Sequence, residues 1–186
     1  MKKNSDRMTL AFKFLNSDGA CFHGGTGNWP LPDENGPGDW LNENCKIDAP
    51  EHELYLCRRK DLCLWVGPAL FVTEFKDIIR EEKDCLVVLS VRIFKKIDSW
   101  NEKTKTSFGT KCYEHILSDD KLIQSANLKN IELLTSAYKA KNFIVIPRIA
   151  RSLAINIDSE IEWQNRMLWK YVEEEILDSF TEDKLV

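Results

Sequence analysis

The sequence predicts an α+β fold: a small antiparallel, strongly looped sheet across residues 9–94, followed by a helical C-terminal half. Three observations carry that reading. Apolar and polar residues alternate in 9–15 and again across 85–94, the period of a strand with a buried face. From Asp98 onward the apolar residues recur every three or four positions, the period of a helix. Between the first strand and the next ordered block lies 19–40, which fits neither period and holds six of the eight glycines, three of the six prolines and two of the six tryptophans.

TLAFKFL (9–15) sets Leu10, Phe12 and Phe14 on one face of a half-buried strand, and Asn16-Ser17-Asp18-Gly19 after it is turn chemistry. The irregular stretch then runs on to Pro50; connections beyond about 12–15 residues are functional or packed on themselves. ELYLC (53–57) reads as a short strand. RRKDLCLW (58–65) reads as a short helix or turn stopped by Gly67-Pro68, and ALFVTEF (69–75) as a strand. DIIREEKD (77–84) is expected to be a charged connector. CLVVLSVRIF (85–94) is the clearest strand, with Cys85, Val87, Leu89, Val91 and Ile93 on one face.

Asp98 or Ser99 is the expected cap of the next helix, which carries Trp100, Thr104, Phe108, Cys112 and Ile116 on one face. Gly109 within it costs about 1 kcal/mol against Ala. Ser118-Asp119-Asp120 marks a break before a second helix bearing Leu122, Ile123, Ala126, Ile131, Leu134 and Tyr138. FIVIP (143–147) has strand propensity, while Pro147 also suits the first turn of a helix. A last helix is expected from about 148 to 179, with Ile149, Leu153, Ile157, Ile161, Leu168, Val172 and Ile176 as its stripe and the acidic excess of 158–183 as its solvated face. Residues 1–97 form the β-rich core and 98–186 a helical segment packing on it, as a single folding unit.

Composition narrows the function classes. A net charge of -4 and a pI near 5.5 argue against a general polyanion binder, so nucleic acid is not the expected partner. The start, MKKNSDRMTLAFKFL, has no long apolar run or small-residue cleavage site, and no stretch approaches a membrane span, so no membrane association is expected. The six cysteines then read as reduced thiols of a cytoplasmic protein.

Cys45, His52, Cys57 and Cys63 cluster in sequence but lack a closely spaced pair, so no metal is expected. Cys21 and His23 share a side on an extended segment, the minimum for a base-assisted thiol, without a recognisable oxyanion hole. Cys112 and His115 lie a helical turn apart and read as a core thiol beside a surface imidazole. His23-Gly24-Gly25-Thr26-Gly27 has the glycines of a phosphate cradle but not the lysine of a P-loop. Arg92, Lys95, Lys96, Lys103, Lys105 and Lys111 form a modest basic cluster interleaved with acids, a solvated face. Trp29 and Trp40, held in a turn-rich loop, are the candidate partner-binding residues, since Trp is favoured at interface hot spots. The leading functional expectation is therefore a protein-interaction or recognition domain with no cofactor, its oligomeric state open.

GNWPLP (27–32), PGDWL (37–41), LYLCRRKDLCLWVGPALFVTEF (54–75), VRIFKKIDSW (91–100) and EWQNRML (162–168) together resemble a family of uncharacterised bacterial and phage-associated domains with a Gly-Trp-Pro-Leu-Pro loop. That resemblance spans most of 10–172 and implies a unit fold and a phage or mobile-element setting, without an activity. The order His23 before Gly24-Gly25-Thr26, then Tyr55, then Glu74 is similar to diphtheria-toxin-like ADP-ribosyltransferases. This second resemblance implies an alternative: an NAD-dependent enzyme in which His23 holds the ribose, Tyr55 stacks on nicotinamide and Glu74 assists transfer, with Gly24, Gly25 and Thr26 at the cofactor. It requires His23, Tyr55 and Glu74 to converge on one cleft.

Overall fold

The alternating segments become strands and the later ones helices in the computed structural model, which describes residues 9–24, 27–42, 53–118 and 128–186. Among the described residues, β1 (Thr9–Leu15), β2 (Leu41–Asn42), β3 (Leu54–Leu56), β4 (Ala69–Glu81) and β5 (Leu86–Lys96) form one antiparallel sheet in the order β1-β4-β5-β2, with β3 also paired to β5. A 3₁₀ helix, Arg59–Trp65, links β3 to β4. The C-terminal half contributes α1 (Glu102–Leu117), α2 (Leu128–Lys139), α3 (Ile146–Leu153) and α4 (Ile157–Ser179).

The sheet curls until its ends meet. β1 lies along β4 from Thr9 opposite Phe75 to Leu15 opposite Ala69, and its other edge exchanges two 2.9 Å backbone hydrogen bonds between Phe12 and Cys57, the residue after β3. This curling buries β1 on both faces. Leu10, Phe12 and Phe14 face the helices, while Ala11 and Leu15 join Leu54, Leu56, Phe71, Phe75, Leu86, Val88, Val91 and Ile93 inside the curl. The half-buried strand expected from sequence is thus buried on both faces, with only Thr9 and Lys13 partly exposed.

Other expectations change in specific ways. β4 does not end at Phe75; it continues through Glu81, so the expected connector 77–84 is mostly strand. Its charge goes with exposure: β1 begins at Thr9 opposite Phe75, and among the described residues Lys76–Glu81 pair with β5 alone. Asp77 there has a left-handed backbone (φ 52°), and the β4–β5 register shifts between Ile78 and Arg80. The inward side of β5 changes parity between Val88 and Val91, which breaks the continuous face read from Cys85 to Ile93. β2, two residues long, carries no periodicity and was not expected.

The loop over 19–40 wraps the open end of the curl. Gly19 (φ +87°) closes the Asn16–Gly19 turn and receives the Trp29 amide on its carbonyl. A Cβ at Gly19 would stand 2.5 Å from the Trp29 carbonyl oxygen. Trp29 itself is only 4% exposed and belongs to the inner core.

The helices cover the outer face with a second core. Trp100 joins the halves: it meets Phe14 and Phe108 edge-on at 5.8 and 5.9 Å, and its indole N–H donates to the Gly67 carbonyl. Burying each such aromatic stabilises the fold by about 1.5–3 kcal/mol. The cap of α1 is Asn101, not Asp98 or Ser99; its side chain accepts from Lys103 and Thr104 while Thr104 Oγ1 accepts from the Asn101 amide, a complete capping box. Asp98 and Ser99 instead give their amides to the Glu175 carboxylate, so one member of the expected solvated acidic face ties α4 to α1.

The long last helix is two. The chain is extended at Ala154 and Asn156, and Asn156 caps α4 by accepting from the Ser159 amide. Residues 143–145 are turn rather than strand, and Pro147 sits in the first turn of α3. On α2 Leu134 is buried as expected, whereas Leu122, Ile123 and Ala126 lie outside the described residues. No helix among the described residues is long and apolar enough to cross a membrane.

Gly109 is fixed by packing. A Cβ there would come within 2.8 Å of both the Cβ and the backbone carbonyl of Phe143. Gly109→Ala therefore loses more to this clash than the ~1 kcal/mol it gains in helix propensity. Thermal denaturation is expected to show a Tm lower by roughly 3–8 °C. Lys111→Ala, at an exposed position one residue beyond Thr110, should leave stability within about 0.5 kcal/mol.

Candidate functional site

The 3₁₀ helix is clamped from three sides. The Asn165 side chain on α4 receives the Cys63 amide at 2.8 Å and donates to the Lys60 carbonyl. Arg151 on α3 donates to the Cys63 carbonyl at 2.7 Å, and the Trp65 indole donates to the Asp84 carbonyl in the β4–β5 turn. A helix so held walls two cavities. One, of about 490 Å³, lies between Cys63–Val66, the start of α3 and the loop carrying Phe22 and His23. The other, about 790 Å³, lies on the opposite side, where Arg59 rests 4.0 Å over the Trp169 ring and Lys60, Lys83 and Arg166 line the mouth.

His23 is the predicted site residue that reaches the first cavity. Its Nε2 meets the Trp65 carbonyl, which can only accept, so Nε2 carries the proton. Its ring packs edge-on against Phe22 at 4.8 Å and Trp65 at 5.6 Å. Burial lowers the His23 pKa, and the positive charges of Lys13 and Arg148 push the same way, so the imidazole is neutral near pH 7. Gly24 is exposed with a left-handed backbone, and Gly25 and Thr26 lie outside the described residues.

Tyr55 and Glu74 have other attachments. The Tyr55 hydroxyl donates to Glu53, whose carboxyl is held down to about 2 by the Arg80 guanidinium beside it. Tyr55 and His23 both border a small void of about 20 Å³ with Lys13 and Cys57. Glu74 is bound by Arg92 at 2.6 Å and pairs with Leu10 on the far side of β4. Tyr55 stands opposite Val87 and Glu74 opposite Arg92, which separates them by roughly 16 Å along β5 alone. The geometry required by the NAD-site resemblance, three side chains on one cleft, is therefore not formed.

Trp29 has no surface to offer a partner, because its ring is inside the curl with the Lys13 ammonium 4.9 Å above it. Trp40 differs. It is half-buried on the outside of the sheet, with Lys76 at 4.4 Å and Arg92 at 4.8 Å over its ring.

The buried thiols are chemically quiet. Cys45 and His52 lie outside the described residues, and Cys57 and Cys63 are buried 3% and 0% exposed. Burial pushes the Cys57 and Cys63 thiols up to about 12 and Cys85 to about 11, and raises Cys112 strongly as well. Glu82, Asp84 and Cys85 place their ligand atoms within 4.8 Å of one another, but a protonated thiol is a poor ligand.

The sequence reading passed over the polar chain behind the first cavity. Arg151 donates to Gln164 Oε1 at 2.7 Å; Gln164 Nε2 donates to Glu160 at 2.8 Å and to the Pro147 carbonyl at 3.0 Å. The other Glu160 oxygen lies 3.2 Å from His115 Nε2, and the His115 ring stacks on Trp163 at 3.9 Å. Glu160 and Gln164 are 4% and 0% exposed. Their signal was legible as a fault in a stripe: Glu160, Gln164, Leu168, Val172 and Ile176 recur every fourth residue, and the first two are polar.

No protein-family model matches the chain, and no curated protein or solved structure matches it either.

Two expectations follow from these groups. Alkylation of the native protein by iodoacetamide at neutral pH should leave Cys57, Cys63, Cys85 and Cys112 unmodified in peptide mass spectra, and denaturation should expose all four. Burial also raises the Glu160 carboxyl above its usual 4.5, with Gln164, His115 and Arg151 opposing. Such a group favours folding below the unfolded value, and that contribution is lost as pH rises through the folded value. Glu160→Gln keeps an acceptor for Gln164 without the charge. Denaturant unfolding should therefore show the variant gaining on the wild type as pH rises above the ordinary carboxylate value of 4.5, and no gain at pH below it.

Proposed function

We propose that this chain is a protein-recognition domain that works by pairing an extended strand on the free edge of β4. The supporting observation is Lys76–Glu81, which among the described residues has β5 on one side only and leaves Ile78 and Ile79 45% and 52% exposed. Unpaired edges with apolar side chains are templates for strand addition. Trp40, through its contact with Lys76, stands at the flank of this edge and is the aromatic surface available to the partner.

The edge also specifies a partner. Read antiparallel to itself, Lys76-Asp77-Ile78-Ile79-Arg80-Glu81 sets Lys76 opposite Glu81 of a second copy, Asp77 opposite Arg80 and Ile78 opposite Ile79. A two-fold axis between the isoleucines satisfies every one of these pairings twice, which is the requirement of an isologous interface. Opposite charges across a strand pair and apolar side chains between them stabilise such a ladder by about 0.2–1 kcal/mol per pair.

Sedimentation velocity should show a reversible dimer with a Kd of about 1–100 μM. Lys76→Glu should weaken it about tenfold or more, and adding Glu81→Lys to that variant should restore it. A wild-type chain that stays monomeric at about 500 μM, or a double reversal as weak as the single one, removes the proposal.

A further inference from the structure

We infer that the 490 Å³ cavity beside His23 is a binding site for a phosphate monoester carried on a flat ring. The proposal is independent of the β4 edge and rests on the two facing walls of the cavity.

One wall is cationic. Arg148 and Arg151 are three residues apart on α3 and so share a face of that helix. Arg148 is exposed, and among the described residues no carboxylate or other group binds its guanidinium. Arg151 is half-buried, and the Cys63 carbonyl and Gln164 both take bonds from its Nη1. That anchorage fixes the plane of the guanidinium while its other N–H donors remain for a ligand. A guanidinium held in place loses little freedom on binding and matches two oxygens of a phosphate. The first turn of α3 adds a weaker contribution of the same sign, since no side chain caps it.

The other wall is aromatic. Phe22, His23 and Trp65 form an edge-to-face cluster, and His23 is pinned to the Trp65 carbonyl, so these rings present a fixed surface rather than a mobile one. A flat ring packs on such a surface by stacking or edge contact. The neutral His23 adds no charge of its own. Asp84 is the single carboxylate of the lining. It would repel a bare anion nearby, and it suits a ligand whose phosphate lies toward α3 and whose hydroxyl or amino groups lie toward Asp84. The volume is in the range that encloses a small ligand of this kind.

Nucleotides and aryl phosphates share this chemistry, so two probes separate the sources. Calorimetric titration of the whole chain with AMP and with phenyl phosphate should give saturable binding to at least one at sub-millimolar Kd. AMP tighter by about tenfold assigns a nucleotide, and the reverse order assigns an aryl phosphate. Inorganic phosphate should bind at least about tenfold more weakly than the better probe, because it lacks the ring. Arg148→Glu, at an exposed position, should keep the wild-type Tm and lose about tenfold or more in affinity, and Arg148→Lys should lose less. The inference is overturned if neither probe binds at about 5 mM, if inorganic phosphate binds as tightly as both, or if Arg148→Glu binds like the wild type.

Discussion

The exchange of hydrogen bonds between Phe12 and Cys57 is the constraint on which the rest of the molecule depends. It brings the first strand against the end of β3, two elements more than 40 positions apart in the chain, and so turns a flat ribbon into a curl with an inside and an outside. The inside admits no helix and is filled by side chains from the strands and by Trp29 from the loop. The outside becomes one convex face, and the helices have only that face to cover. Cys57 contributes a further contact as its thiol donates to the Phe12 carbonyl at 3.1 Å. A residue at this position must be small, apolar and content in a protonated state, which is how burial leaves Cys57.

Closure also bears on where the cavities lie. Among the described residues β1 reaches along β4 only as far as Phe75, and the distal half of β4 has β5 alone beside it. The residue after the closing bond, Arg58, immediately precedes the 3₁₀ helix, and its guanidinium reaches the Glu82 and Lys83 carbonyls of the β4–β5 turn. The 3₁₀ helix is thereby carried out over the sheet, where α3 and α4 clamp it and create a cavity on each side. The clefts thus follow from one short contact.

Much of this architecture was legible because it follows from local periodicity. β1, β5, α1 and the buried face of α4 were visible in the spacing of apolar residues, and Pro147 marked the start of α3. What was not legible depends on residues distant in sequence. The 77–81 segment looks like a connector because its residues are charged, and only its pairing with β5, which the charges do not announce, makes it a strand. The Trp-rich loop looked like a displayed surface, yet Trp29 is needed to fill the end of a curl that no periodicity announces. Triads inferred from residue order fail for the same reason: His23, Tyr55 and Glu74 follow one another in the chain, but β5 lies between the last two.

The polar chain from His115 to Arg151 shows how a fault in a pattern can carry more information than the pattern. A helix stripe of period four that opens with Glu160 and Gln164 must either expose them or give each a buried partner, since an unpaired buried amide or carboxylate costs several kcal/mol. Here both are buried, and the partner that satisfies Gln164 on one side is Arg151, which in turn grips the Cys63 carbonyl of the 3₁₀ helix. Replacing these groups by apolar ones of similar size would be tolerated by packing alone. Their arrangement sets the direction of one guanidinium that both holds the Cys63 carbonyl and stands at the edge of a cavity. A buried polar network that ends at a cavity wall therefore has two effects at once: it ties α3, α4 and the 3₁₀ helix together, and it fixes the guanidinium on which the proposed phosphate site depends.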